Sequence, residues 1–151
     1  MDIDINNDGV DHIRIHRNAG TELGRLLDNT SGLHFYHDKD GFFRSVNNYI
    51  AWLLHNQDNF KLMDEATLEP YCKDFDKDSL IMYRARIQEA ILCKIMQNQN
   101  LTDLLRNSSL PIVSYSVYGS RPTTKTTKKI RRELDFSDYI SNIRNNLKIL
   151  K

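Results

Sequence analysis

The chain has 151 residues, 40% hydrophobic and 27% charged, with 21 Lys and Arg against 20 Asp and Glu. That is enough apolar material for one core and too much for a disordered chain. A net charge of +1 excludes a general polyanion binder but leaves room for a local basic patch. No apolar run approaches the roughly 20 residues that span a bilayer. The acidic, polar start MDIDINNDGVDH predicts no secretory signal.

Residues 1–11 read as a loose segment, followed by one domain over 12–151. His12 to His16 alternates, with Ile13 and Ile15 on one face, as a short strand does. Asn18-Ala19-Gly20 is a turn, Glu22 to Asn29 a short apolar-bearing segment, and Leu33 to His37 a second strand. Asp40-Gly41 marks a hairpin, because the glycine supplies the positive φ that such turns need, and Phe42 and Phe43 resume the strand. Ser45 reads as an N-cap. Val46, Tyr49, Ile50, Leu53 and Leu54 then recur at helical spacing.

One or two short helices are expected around Leu62 to Leu68, broken at Pro70. Ser79 is read as the cap of the strongest helix, with Leu80, Tyr83, Ile87, Ala90, Ile91 and Ile95 on its apolar face to about Gln97. Leu101, Leu104 and Leu105 make a further helix, and Ile112 to Tyr118 is β-prone. Gly119 to Thr127 reads as a polar loop, and Asp135 to Leu150 as a closing helix with Tyr139, Ile140, Ile143 and Leu147 on one side. Strands early and once late, with helices between, predict an α+β fold: a single compact domain with a small mixed sheet surrounded by helices.

The chemistry-bearing patterns are few. The five histidines show no zinc spacing and read as surface or strand-edge residues. Cys72 and Cys93 are free thiols of a reducing, cytoplasmic setting. Gly20-Thr21-Glu22-Leu23-Gly24 resembles a glycine-bearing phosphate turn without a full motif. Lys125, Lys128, Lys129, Arg131 and Arg132 fall within eight positions and could contact phosphates, or form a solvated basic loop. No aromatic is interleaved in that run, so base stacking is not indicated. Ser45 to Tyr49 lies where a strand enters a helix, a place where backbone N–H groups attract anions.

Several segments together resemble the NADAR superfamily, which includes riboflavin-intermediate N-glycosidases and ADP-ribosyl-guanine hydrolases. Gly24 to Asn29 resembles its G-x-x-LSN element, and Asp40 to Asn47 resembles dG-x-x-a-x-SvE. Arg86 to Leu105, Leu110 to Gly119 and Tyr139 to Leu147 resemble the family's later helix, strand and closing helix, in order over residues 12–148. The spacing resembles the smaller tailed-phage branch.

The resemblance implies a cleft for a ribosylated base or ADP-ribose-like ligand, free or on modified nucleic acid, and N-glycosidic hydrolysis as the ancestral chemistry. It implies no cofactor and no metal. Asn29 and Ser45 match family positions, whereas Asn47 stands where the family has its glutamate. A carboxylate can steady an oxocarbenium-like state and shuttle a proton, and an amide can do neither, though it can bond a ribose hydroxyl. Asp28 is the nearest candidate for a relocated acid, its bland alternative being a solvated acid or helix cap. The family's late Gly-Lys-Asn-x-x-Gly element is replaced by Gly119 to Lys129. Tyr115, Tyr118, Lys128 and Lys129 complete the expected ligand-binding set, with Trp52 as a further aromatic.

Three functions follow. The chain is an N-glycosidase-type hydrolase; or a non-catalytic phage accessory or counter-defence protein that binds a nucleotide-like ligand or a host protein; or an interaction protein whose cleft has closed.

Overall fold

A computed structural model describes residues 3–73, 75–118 and 126–150. In chain order the elements are β1 (Ile13–Arg14), α1 (Glu22–Leu27), β2 (Phe35–His37), β3 (Gly41–Phe43), α2 (Val46–His55), α3 (Glu65–Cys72), α4 (Lys77–Met82) and α5 (Arg84–Gln97). There follow α6 (Gln99–Arg106), β4 (Ile112–Val113), β5 (Tyr115–Tyr118), β6 (Thr126–Lys129) and α7 (Ser137–Ile149). The fold class is α+β. Among the described residues the strands form three two-stranded pairs, one parallel and two antiparallel, where the sequence suggested one small mixed sheet. Among the described residues, no helix is long and apolar enough to cross a membrane.

The chain divides into two units, Met1–Asp28 with Leu104–Lys151, and Asn29–Asp103. In the first, β1 pairs in parallel with β4, and Ile13 lies opposite Ile112, both buried. The helix α7 packs against β4. Its buried residues Ile140, Ile143 and Leu147 recur at the spacing of one helical face. Tyr139 is only half-buried. Arg144 ties the preceding loop down by donating to Leu110 O at 2.7 Å and Ser108 Oγ at 3.1 Å.

Residues 3–11 are more ordered than the loose segment expected. A 3-10 turn at Ile5–Asn7 is capped by Asp4. The Asp8 carboxylate then accepts from Arg14 N at 2.9 Å and Gly20 N at 2.7 Å. Two aspartates, Asp4 and Asp8, thus hold the chain through side-chain-to-backbone bonds, which composition alone does not display.

In the second unit β2 and β3 form the predicted hairpin, with Gly41 at φ +96°. Ser45 caps α2 by accepting from Asn48 N. Val46, Tyr49, Ile50 and Leu53 are buried as the periodicity required, and Leu54 is half-buried. Two boundaries differ from expectation. Pro70 does not end a helix; it sits inside α3, which runs on to Cys72. The helix forgoes one donor there, at the carbonyl four residues earlier. Ser79 is not the cap of the long helix. Asp76 caps α4, and Tyr83, at φ −95° and ψ 8°, separates α4 from α5. The expected apolar face survives the break: Leu80, Ile87, Ala90, Ile91 and Ile95 are buried.

Candidate ligand-binding residues

The start of α2 carries two of the expected residues, Ser45 and Asn47. Ser45 is buried, and its hydroxyl both accepts from Asn48 N at 3.2 Å and donates to Asn48 Oδ1. Asn48 Nδ2 donates to Phe60 O and Met63 O, each at 2.8 Å. Ser45 and Asn48 therefore form a structural staple rather than a ligand contact. Asn47 is different: it is half-buried, and its backbone N–H donates to Asn29 O at 3.0 Å. Asn29 is half-buried too. Neither carboxamide has a hydrogen-bond partner among the described residues.

The same bonds remove the anion-binding reading of this helix start. The N–H groups of Asn47, Asn48 and Tyr49 are taken by Asn29 O, Ser45 Oγ and Ser45 O. The glycine turn before α1 is closed in the same way. Gly20 N donates to Asp8, and Gly24 N to Thr21 Oγ1 at 3.0 Å. Gly24 serves packing instead, since a Cβ there would lie 2.0 Å from Arg14 O. Asp28 follows α1 as its C-cap residue with extended backbone, and its charge acts on Arg14 and His16 within the first unit.

The other expected residues meet on the antiparallel β5–β6 ribbon. Tyr115 lies opposite Lys129, Ser116 opposite Lys128, and Tyr118 opposite Thr126. Tyr115 is buried, its hydroxyl 2.7 Å from His12 Nε2, while His12 Nδ1 lies 2.6 Å from Asp11 Oδ1. Arg14 Nε donates to Tyr115 O at 3.2 Å, and its guanidinium stands 4.8 Å from the Tyr115 ring centroid. Tyr115 is thus an anchor of the ribbon rather than a ligand contact. Burial, with the charges of Asp8 and Asp11, pushes its phenol above the ordinary range. Tyr118 is 53% exposed, and Lys128 and Lys129 are exposed. The loop expected over Gly119 to Thr127 lies, as far as Lys125, outside the described residues; Thr126 and Thr127 belong to β6.

The sequence did not reveal a polar network beneath the hairpin. Asp40 Oδ2 accepts from Tyr49 Oη at 2.6 Å and Arg86 Nη2 at 2.9 Å. Burial alone would raise the Asp40 pKa, but the bonds from Tyr49 and Arg86 outweigh it and hold the carboxyl below its usual range. Burial first, and Asp40 second, push the Tyr49 phenol strongly upward. His37, buried where a surface or strand-edge residue was expected, accepts at Nδ1 from the N–H groups of Lys39 and Asp40, both at 3.2 Å. Its Nε2 faces Glu89 Oε2 at 3.0 Å. His12 is likewise buried, against the same expectation.

A hollow of about 310 Å³ beside this network is lined by His37, Asp38, Lys39, Glu89, Leu92 and Cys93. A second, of about 300 Å³, has aromatic and polar walls that include His55, Tyr71, Phe75 and Asp76. Neither is lined by any residue that the sequence nominated. Trp52 is half-buried, and its indole N–H donates to Asp58 at 2.9 Å.

No protein-family model, curated protein or solved structure matches the chain.

Proposed function

We propose that this chain binds a ribosylated base or ADP-ribose-type ligand through the Asn29 and Asn47 carboxamides and holds it without cleaving the N-glycosidic bond. The observation that carries the reading is the main-chain bond from Asn47 N–H to Asn29 O at 3.0 Å, which brings the two residues together. Both carboxamides lack protein partners among the described residues. Two amides offer four N–H donors and two carbonyl acceptors. A vicinal diol, whose hydroxyls each donate and accept, is complementary to that set.

The reading keeps the ligand class implied by the NADAR resemblance and sets aside its hydrolysis. A neutral amide at position 47 supplies neither the negative charge nor the proton transfer that glycoside cleavage uses. The setting that fits is a cytoplasmic, phage-encoded accessory protein; both cysteines are free thiols. Hydrolysis remains the second reading, with Asp28 as the acid.

Calorimetric titration with ADP-ribose, beside a chromatographic assay for ribosyl product, tests this. Binding without turnover is expected. Asn29→Ala and Asn47→Ala should each weaken it by about 2- to 10-fold, the range for one neutral hydrogen bond. Product release that Asp28→Asn abolishes would replace the binding reading with the hydrolase. Absence of binding at millimolar ligand, or alanine variants that bind as tightly as the parent, would remove the ribosyl site.

A further inference from the structure

We infer that the β5–β6 ribbon is a binding surface for single-stranded nucleic acid, including strands that carry no ribosyl modification. It rests on residues other than Asn29 and Asn47 and on a separate set of observations.

The first is charge segregation. The unit formed by Met1–Asp28 and Leu104–Lys151 holds 13 Lys and Arg against 9 Asp and Glu, and Asn29–Asp103 holds 8 against 11. The balanced chain is therefore +4 in one unit and −3 in the other. From Arg121 to Arg132 there are six cations and no acid. Lys128 and Lys129 are exposed, and no ion pair holds either among the described residues.

The second is register. Side chains alternate between the faces of a strand, so Ser116, Tyr118 and Lys128 share one face. Tyr118 and Lys128 are diagonal neighbours, a relation that places Cα atoms about 7–8 Å apart. A base can stack on the exposed phenol while its phosphate reaches the Lys128 ammonium; Arg131, paired with Glu133 at 3.9 Å, and Arg132 follow in the chain, both exposed. The opposite face is anchored through Tyr115 to His12 and Arg14, so the platform is ordered before any ligand arrives.

An exposed ring beside the Lys128 ammonium favours nucleic acid over an acidic peptide, which would make no use of the ring. It favours a single strand because base faces are open only outside a duplex.

Fluorescence anisotropy with a labelled oligothymidylate of about 15 nucleotides provides the test. Binding should weaken steeply between about 50 and 200 mM salt. Tyr118→Ala should lower affinity by about 5- to 100-fold, and Tyr118→Phe should restore it. Lys128→Ala should reduce the magnitude of the log–log salt slope by about 0.7, for one lost phosphate contact, whereas Lys129→Ala, opposite Tyr115 on the other face, should leave it nearly unchanged. Circular dichroism of each variant should match the parent, since all three side chains are exposed.

No anisotropy change at about 100 µM protein in low salt would overturn the inference. So would equal competition by duplex DNA, by polyglutamate or by anionic vesicles, or a Tyr118→Ala variant that binds like the parent. The oligothymidylate carries no ADP-ribose, so its failure and the failure of the ribosyl site are separate results.

Discussion

The two units treat charge in opposite ways. In Asn29–Asp103 the conspicuous polar groups are turned inward and matched: Asp40 meets Tyr49 and Arg86, His37 meets Glu89, and Asn48 meets two backbone carbonyls. In the other unit the buried polar groups Tyr115 and His12 serve as an anchor, and the surplus cations stand on the surface of a short ribbon. Matched buried groups fix a structure, because leaving one unpaired costs the full desolvation penalty. Unmatched exposed cations contribute little to stability and are available to a partner. Apart from the packing Gly24 and the buried Tyr115–His12 anchor, the ribbon of the first unit is therefore, like Asn29 and Asn47 in the second, where substitution should change binding at small cost to folding.

That exception gives the largest effect. Gly24→Ala would force a Cβ against the Arg14 carbonyl, which is backbone and cannot swing away. A loss of about 3–5 kcal/mol is expected, in the exceptional range for single substitutions. Hydrogen exchange should accelerate first across residues 13–27 and 111–113; equal acceleration in 35–50 would break the distinction between the units.

Asn48→Ala comes next. It strands Phe60 O and Met63 O and removes the side-chain acceptor of the Ser45 hydroxyl, which keeps only the backbone N–H of residue 48. About 2–3 kcal/mol should be lost in chemical denaturation. The neighbouring Asn47→Ala removes a carboxamide without partners among the described residues and should stay within about 0.5 kcal/mol. Similar losses for the two would refute the division between staple and ligand contact.

Asp40→Asn replaces an acceptor of two bonds, one from a cation, and should cost about 1.5–3 kcal/mol at neutral pH. The sign of its pH dependence follows from the lowered folded pKa. Asp40 stabilises the fold fully above the unfolded aspartate value of about 3.9. That stability drains away as pH falls through the lower folded value. The variant should lose this part of the acid slope; an unchanged slope would show that the network does not titrate with Asp40.

Smallest is the effect of Asn47→Glu on stability, expected within about 0.5 kcal/mol because the site is half-buried at a helix start. Its use lies in the turnover assay, where newly gained hydrolysis would mark a cleft still shaped for the reaction.

Local chemistry determined much of this molecule from sequence alone. The Asp-Gly hairpin, the Ser45 cap, the buried stripes of α2, α5 and α7, and the α+β class were legible because each depends on residues within a few positions of one another. Pro70 and Ser79 misled because a helix can forgo one donor, and because a neighbouring aspartate captured the cap. Tertiary structure alone decided what depends on distant partners. It buried His12 and His37, took the N–H groups at two expected anion sites, and brought Tyr118 beside Lys128. The last pairing reversed the reading of the basic run: no aromatic lies between those lysines along the chain, and an antiparallel register supplies one from the opposite strand.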